Sequence, residues 1–171
     1  MNKVITKILL FLSSLFILTN VFSQQQSQVQ SAYIYNFTKY MQWPSNKQSG
    51  EFIIAVVGSS PITANLKILA ATKKVGTQSI VVKEYNSVSQ INSCHIIVLV
   101  PSKSNEISAA IAKAQSSNAL LITDKPGLGK KGAGMNFILI GGKERFEINQ
   151  SAIDKCKIKI NPKLTSFGIK V

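Results

Sequence analysis

The sequence predicts one α/β domain with a mainly parallel sheet, a C-terminal β-hairpin and flanking helices. Between residues 52 and 123, β-prone apolar runs alternate with helix-forming segments, which is the pattern of βαβ units. A Gly-Gly pair at 141–142 then separates two β-prone segments, which indicates a hairpin turn. With 171 residues, 45% of them hydrophobic and 16% charged, the chain can bury one core without metal or disulfide support.

The first 23 residues have the three-part pattern of a signal peptide. Two lysines precede an apolar run over residues 8–18, and Val21 and Ser23 stand at the −3 and −1 positions. We therefore expect cleavage after Ser23, which leaves residues 24–171 as one exported domain. The apolar run is shorter than the roughly 20 residues that a membrane span needs. We expect a periplasmic protein with no direct membrane insertion after the leader is removed.

Spacing and composition predict the individual elements. Residues 24–30 are polar and glutamine-rich, and we expect them to be poorly ordered at their start. From residue 29 to residue 41, apolar residues recur every three or four positions before Pro44, which predicts an amphipathic helix. The other strands are expected at 52–57, 79–83, 95–100 and 119–123, and the other helices at 62–71, 102–116, 150–156 and 162–169, with a helical turn at 88–91.

The hairpin over residues 135–148 is the candidate binding surface. Its first strand is apolar on both sides, as in a central strand, whereas its second strand alternates. The alternation turns polar side chains to one face and Phe146 and Ile148 to the other. Such a face often does no more than stabilise a solvated sheet, but it also offers the polar and apolar groups of a protein interface. The predicted partner-binding residues are Met135, Asn136, Phe137, Arg145, Glu147 and Asn149.

The chain is strongly basic, with a formal net charge of +13. Basic proteins attract nucleic acid, anionic lipid and anionic polysaccharide alike. The export signal argues against nucleic acid, and the lysines are spread along the chain without the aromatic interleaving of a nucleic-acid groove. We therefore expect a generally solvated basic surface and no nucleic-acid partner.

The segment from Gly127 to Gly132 fits the dinucleotide-binding pattern G-x-G-x-x-G letter for letter. In a dinucleotide fold, however, the third glycine lies within a helix, whereas here the following residues lead into a strand. We expect no nucleotide binding. A mobile basic loop at this position is still suited to an anion or an acidic partner.

No combination of side chains suggests catalysis or a metal centre. His95 is the only histidine, and its neighbour Cys94 points to the opposite face of a strand, which precludes a catalytic pair. Two cysteines and one histidine without ligand spacing fall short of a zinc site. The seven acids show no pairing typical of a general acid and base. We expect a protein that is not an enzyme and has no cofactor.

Two features leave alternatives open. An oxidising compartment favours a disulfide between Cys94 and Cys156, while the apolar setting of each cysteine also suits a buried free thiol. The aromatic residues between Tyr33 and Trp43 fit a ligand-binding box, although an aromatic stripe at helical spacing more often belongs to a core.

Several segments together resemble the YfiR-like family of bacterial periplasmic proteins. Residues 36–44 read Asn-Phe-Thr-Lys-Tyr-Met-Gln-Trp-Pro, similar to the family's Asn-Phe-x-Lys-Tyr-x-x-Trp-Pro. Cys94-His95 opens a strand as in the family, and Gly-Ala-Gly-Met-Asn-Phe at 132–137 precedes Phe-Glu-Ile-Asn at 146–149. Residues 165–168 depart from the family's usual Leu and Ala, which indicates a weaker or differently docked last helix.

This resemblance implies a Rossmann-like protein without enzymatic activity, often a homodimer, that restrains a membrane-bound signalling enzyme by binding its periplasmic sensor domain. The implied partner is a diguanylate cyclase, and hence cyclic-di-GMP signalling, or a histidine kinase. The alternative class is a periplasmic small-ligand or cell-wall-binding module. In that alternative, the aromatic first helix and the basic glycine loop form the site.

Overall fold

The computed structural model describes residues 24–171, and the predicted leader lies outside the described residues. The strands are β1 (Met41–Gln42), β2 (Phe52–Val57), β3 (Lys74–Val75), β4 (Gln78–Tyr85), β5 (Ile96–Leu99), β6 (Leu120–Thr123), β7 (Met135–Ile140), β8 (Lys143–Ile148), β9 (Lys159–Ile160) and β10 (Ile169–Lys170). The helices are α1 (residues 24–38), α2 (Ile62–Thr72), α3 (Ile107–Ser117), α4 (Leu128–Lys131), α5 (Gln150–Lys155) and α6 (Pro162–Thr165). Short 3₁₀ turns lie at Ser45–Lys47, Val88–Gln90 and Pro101–Glu106.

Eight of these strands form one mixed sheet in the order β10-β8-β7-β6-β5-β2-β4-β3. β2 pairs in parallel with β4 on one side and β5 on the other, and β6 and β7 continue the parallel pairing beyond β5. β8 returns antiparallel to β7, while β10 runs parallel to β8 and β3 antiparallel to β4. β1 and β9 form a separate antiparallel pair. The predicted α/β class and the predicted hairpin are therefore confirmed.

The central strands are buried because they have neighbours on both faces. Every residue of β5 and β6 is buried, and β2 is buried at five of its six positions. This burial explains the continuous apolar runs in the sequence, which are typical of sheet centres covered on both sides. Helix α2 packs against β4, and α3 packs against β5 and β6.

Helix α1 covers the hairpin with an aromatic cluster. The ring of Phe37 lies 4.9 Å from that of Phe146 and 6.1 Å from that of Phe137, and the Tyr33 ring lies 5.5 Å from that of Phe146. Such centroid distances are typical of stabilising aromatic pairs. The aromatic stripe of the first helix is therefore core, which decides between the two alternatives that the sequence left open.

The structure corrects three boundaries. Residues 24–30 are helical, so the expectation of poor order at the start of this segment is wrong. Helix α1 ends at residue 38 rather than at Met41, which instead pairs with Ile160 in the β1–β9 ladder. The helix predicted over 162–169 ends at Thr165.

The early end of the last helix has a packing cause. A side chain at Gly168 would collide with those of Ile148 and Phe146, so the backbone at this glycine lies directly against β8. The chain then runs along β8 as β10. Within residues 24–171, no helix is long and apolar enough to cross a membrane.

Candidate functional site

The hairpin of β7 and β8 is regular along its whole length. All six residues of β7 face residues of β8, from Met135 opposite Ile148 to Ile140 opposite Lys143. Gly141 and Gly142 both have positive φ angles, of 56° and 73°. Two positive φ angles define the turn type that matches the twist of a two-residue hairpin, and glycine adopts them without steric cost.

The half of the hairpin near Met135 belongs to the protein interior. Met135 and Phe137 are buried, and Asn136 has no exposed surface. The predicted apolar edge at Met135 and Phe137 is therefore not a surface in this structure, because β6 and α1 cover it. A partner has no access to these three residues while the hairpin stays folded in this way.

A buried hydrogen-bond network explains the asparagine between these two apolar residues. Asn136 Oδ1 accepts from Thr123 Oγ1 over 2.6 Å and from the Lys125 amide over 3.3 Å. Asn136 Nδ2 donates to Glu147 Oε2 over 2.7 Å. The network thus joins β6, β7 and β8, and it satisfies polar groups that would otherwise be costly to bury.

Glu147 and Asn149 also hold the glycine segment in place. Asn149 Nδ2 donates to the Gly129 carbonyl over 2.9 Å, while its Oδ1 caps α5 by accepting from the Ala152 amide. A side chain at Gly129 would collide with Glu147. Glu147 is half-buried, not fully exposed as the alternation of β8 predicted. Both residues therefore have structural contacts that the sequence did not reveal.

The half of the hairpin near the turn is exposed. Leu139 is 60% exposed and Ile140 is 51% exposed, although both belong to the apolar run that predicted a central strand. Arg145 and Lys143 are exposed on the facing strand. We call these four residues the hairpin tip. Of the predicted partner-binding residues, only Arg145 belongs to it.

The outer edge of β8 is open beside the hairpin tip. β10 pairs only with Glu147 and Ile148, so residues 143–146 have no neighbouring strand on that side within the described part of the chain. An unpaired edge presents free backbone donors and acceptors to another chain. Sequence analysis missed this edge because its length depends on where β10 begins.

The glycine segment is a helical turn and not a loop. Gly127 and Gly132, with φ angles of 83° and 118°, bracket α4, and Leu128 and Gly129 are buried. The chain then enters β7, as the sequence predicted for the residues after Gly132. The expectation of a mobile basic loop at this position is therefore wrong.

His95 has a structural role. Its Nδ1 accepts from the Ile53 amide over 3.0 Å, so Nε2 carries the proton and donates to the Lys47 carbonyl over 2.8 Å. Its ring stacks on Phe52 at 4.4 Å. Burial lowers the pKa of His95, which keeps the imidazole neutral and preserves both hydrogen bonds.

Cys94 and Cys156 are free, buried thiols in the structure, which is the second of the two alternatives for the cysteines. Burial raises the pKa of Cys94 to about 12 and that of Cys156 to about 11. Because the thiolate is the reactive form, both cysteines are protected from oxidation and alkylation in the folded protein.

The structure brings together two acids that sequence analysis did not pair. Gln30 Nε2, on α1, donates to Asp124 Oδ2 and to Glu144 Oε1, each over 2.9 Å. Burial raises the pKa of Asp124, and burial together with the nearby Asp124 charge raises the pKa of Glu144. The acids are 20 residues apart in sequence, and only the strand order of the sheet makes them neighbours.

The chain belongs to the YfiR/HmsC-like family, whose family model matches residues 27–168. This match confirms the resemblance carried by the opening Asn-Phe-Thr-Lys-Tyr segment, the Cys-His strand and the hairpin. The family is periplasmic and regulatory rather than enzymatic, and membership is consistent with a regulator of cyclic-di-GMP signalling. No curated protein sequence matches the chain.

Proposed function

We propose that this protein is a non-enzymatic periplasmic regulator that binds and restrains the sensor domain of a membrane-bound signalling enzyme. The enzyme is a diguanylate cyclase or a histidine kinase. The observation that carries this proposal is the match to the YfiR/HmsC-like family over residues 27–168. The contacts of His95, Glu147 and Asn149 agree with a non-enzymatic role, because each of these side chains makes hydrogen bonds that stabilise the fold.

We infer that the domain is Rossmann-like. Five neighbouring strands, β4, β2, β5, β6 and β7, pair in parallel, and helices α2 and α3 follow β2 and β5 in the chain. This alternation of parallel strands and helices along the chain supports the inference. The antiparallel β8 and the short β10 are additions at one edge of this arrangement.

The hairpin tip is the surface that we propose for partner binding. Ile140 is exposed on one face of the hairpin, opposite Lys143 and on the same face as Arg145, whereas Leu139 is exposed on the other face, opposite Glu144. Apolar anchors within a polar rim are the usual composition of a protein interface. The charge favours a sensor surface that is acidic, because complementary charge speeds encounter and fixes orientation.

The open edge of β8 supports strand addition as the mode of binding. An extended segment of the sensor domain can pair with residues 143–146, and its side chains then lie beside Lys143 and Arg145. Main-chain hydrogen bonds supply affinity in this mode, and side-chain pockets supply specificity. Positively charged side chains on an edge strand also discourage aggregation between sheets. Lys143 and Arg145 would therefore both attract an acidic partner and protect the open edge.

Photocrosslinking tests this surface directly. A photoreactive phenylalanine analogue placed at position 140 should capture a membrane protein with a periplasmic domain, which mass spectrometry then identifies. The matched control is the same analogue at Ile68, which is 69% exposed on α2. Equal capture from both positions, or capture from position 68 alone, would rule out the hairpin tip. Capture of a second copy of this chain would instead support a homodimer, which the resemblance to the YfiR-like family implies.

A further inference from the structure

A crevice of about 350 Å³ opens at the carboxyl ends of the parallel strands. Its walls are residues 59–61 after β2, residues 100–102 after β5 and Asp124 after β6, and α1 closes one side. β4 and β5 lie on opposite sides of β2, so the crevice occupies the topological switch point of the sheet. Open α/β sheets bind their ligands at this position.

The lining of the crevice suits a small molecule. Its volume falls within the range of about 300–1,000 Å³ that is typical of ligand sites. Ser59 and Ser102 contribute hydroxyl groups that have no hydrogen-bond partner within residues 24–171, and Pro61 and Pro101 contribute apolar surface. Asp124 supplies the only charged group among these lining residues.

The negative charge at this site has no cationic partner in the described chain. The ion pairs within residues 24–171 are Lys67 with Glu84 and Lys103 with Glu106, and Lys125 Nζ donates to Ser104 instead of to a carboxylate. Asp124 and Glu144 share only the neutral amide of Gln30. This arrangement is unexpected in a chain with 20 basic and 7 acidic residues, because buried charges are normally paired.

A second recess of about 320 Å³ adjoins the crevice, since Gln26 lines both. Glu144 lines this recess together with the apolar side chains of Val29 and Leu139. Glu144 Oε2 is buried there without a hydrogen-bond partner. The two recesses together therefore offer two carboxylates and an apolar wall between helix α1 and the hairpin.

We propose that the switch-point crevice binds a small alkylammonium ion, with Asp124 as its counter-charge and Ser59 and Ser102 as hydrogen-bonding groups. A second ammonium on the same alkyl chain would reach Glu144, with the methylene groups beside Val29 and Leu139. Anions and zwitterions are disfavoured because their carboxylates would meet those of Asp124 and Glu144. This proposal does not depend on the regulatory function proposed above.

Three probes of equal chain length separate charge from shape: 1,4-diaminobutane, 1,4-butanediol and 4-aminobutanoate. Each is titrated into the ¹⁵N-labelled mature protein at pH 7 while amide shifts are followed. We expect 1,4-diaminobutane to shift the amides of Ser59, Ser102 and Asp124 with a dissociation constant of about 1 mM or tighter. The diol and the zwitterion should bind at least about tenfold more weakly, because the diol lacks both ammonium charges and the zwitterion has a carboxylate in place of one of them.

Two variants locate the site. Asp124→Asn should weaken diamine binding at least about tenfold, whereas Glu84→Gln, which alters an exposed acid paired with Lys67, should leave it unchanged. Ser102→Phe fills the crevice from an exposed position and should abolish the shifts, and Ser108→Phe, on the surface of α3, is its control. The proposal is wrong if no probe shifts the crevice amides, if the diol binds as well as the diamine, or if both crevice variants still bind like the parent.

Discussion

Asn136 and Glu147 face each other across β7 and β8, and Asn136 Nδ2 donates to Glu147 Oε2 over 2.7 Å. This pair places a fully buried amide next to a half-buried carboxylate in the middle of the hairpin. It makes Glu147 part of the support of the hairpin, although strand alternation alone marked it as an exposed binding residue.

Replacing Glu147 with alanine should therefore destabilise the protein. The Asn136 amide would lose its acceptor inside the protein, and an unsatisfied buried polar group costs about 1–3 kcal/mol. Glu147→Gln retains an acceptor oxygen and should cost less. Urea unfolding measures both changes, with Arg145→Ala as an exposed control that should stay within about 0.5 kcal/mol of the parent. A Glu147→Ala variant as stable as the Arg145→Ala control would show that the network contributes nothing.

The acid pair should make stability depend on pH. The pKa of Glu144 is raised in the folded protein, so its stability contribution is fully present below its unfolded pKa and is lost as pH rises through its folded pKa. Glu144→Gln removes this loss while keeping an acceptor for Gln30. We expect the variant to melt at a higher temperature than the parent at pH 7–8, and the difference to shrink towards pH 4.

Melting curves from pH 4 to pH 8 for parent and Glu144→Gln measure this difference. The pKa values of His95 and Glu106 are lowered in the folded protein, so their contributions to stability are lost as pH falls. Both proteins share these contributions, which therefore cancel in the difference between the two melting temperatures. Parallel curves for the two proteins at every pH would contradict the raised pKa of Glu144.

The two cysteines should be unreactive in the folded state. With pKa values of about 12 and about 11 for Cys94 and Cys156, neither is a thiolate at pH 8, and both are buried. A thiol reagent should therefore label the native protein slowly and both residues rapidly in denaturant, and reductant should leave the melting temperature unchanged. A fall in melting temperature on reduction would instead indicate a disulfide.

The predicted cleavage of the leader can be tested directly. Cleavage after Ser23 predicts Gln24 as the first residue of the exported protein. Intact-mass measurement of protein from the periplasmic fraction gives the answer, and a retained leader would contradict the periplasmic assignment.

Much of the fold follows from local sequence, because the central strands are short apolar runs bounded by turn residues. The runs at 52–57 and 119–123 became β2 and β6 almost residue for residue. The contacts of the candidate site depend instead on which strands become neighbours. Thr123, Asn136 and Glu147 meet only because β6, β7 and β8 are adjacent, and no local pattern reveals that.

The local sequence also could not predict which residues at the end of a strand are exposed. Leu139 and Ile140 continue the apolar run of β7 beyond the cover that α1 and β6 provide, so the same residue types that fill the core become a surface. Similarly, the last residues became β10 because Gly168 allows the chain to lie against β8.

The cellular level of cyclic-di-GMP after deletion of the gene and complementation tests the proposed regulatory function most directly. We predict that the level rises on deletion and that the parent protein or its Ile68→Asp control restores it. The Leu139→Asp and Ile140→Asp double variant, which changes two exposed residues of the hairpin tip, should be folded and exported but fail to restore it. An unchanged cyclic-di-GMP level on deletion, or full restoration by the double variant, would contradict a regulator of this signal that acts through the hairpin tip.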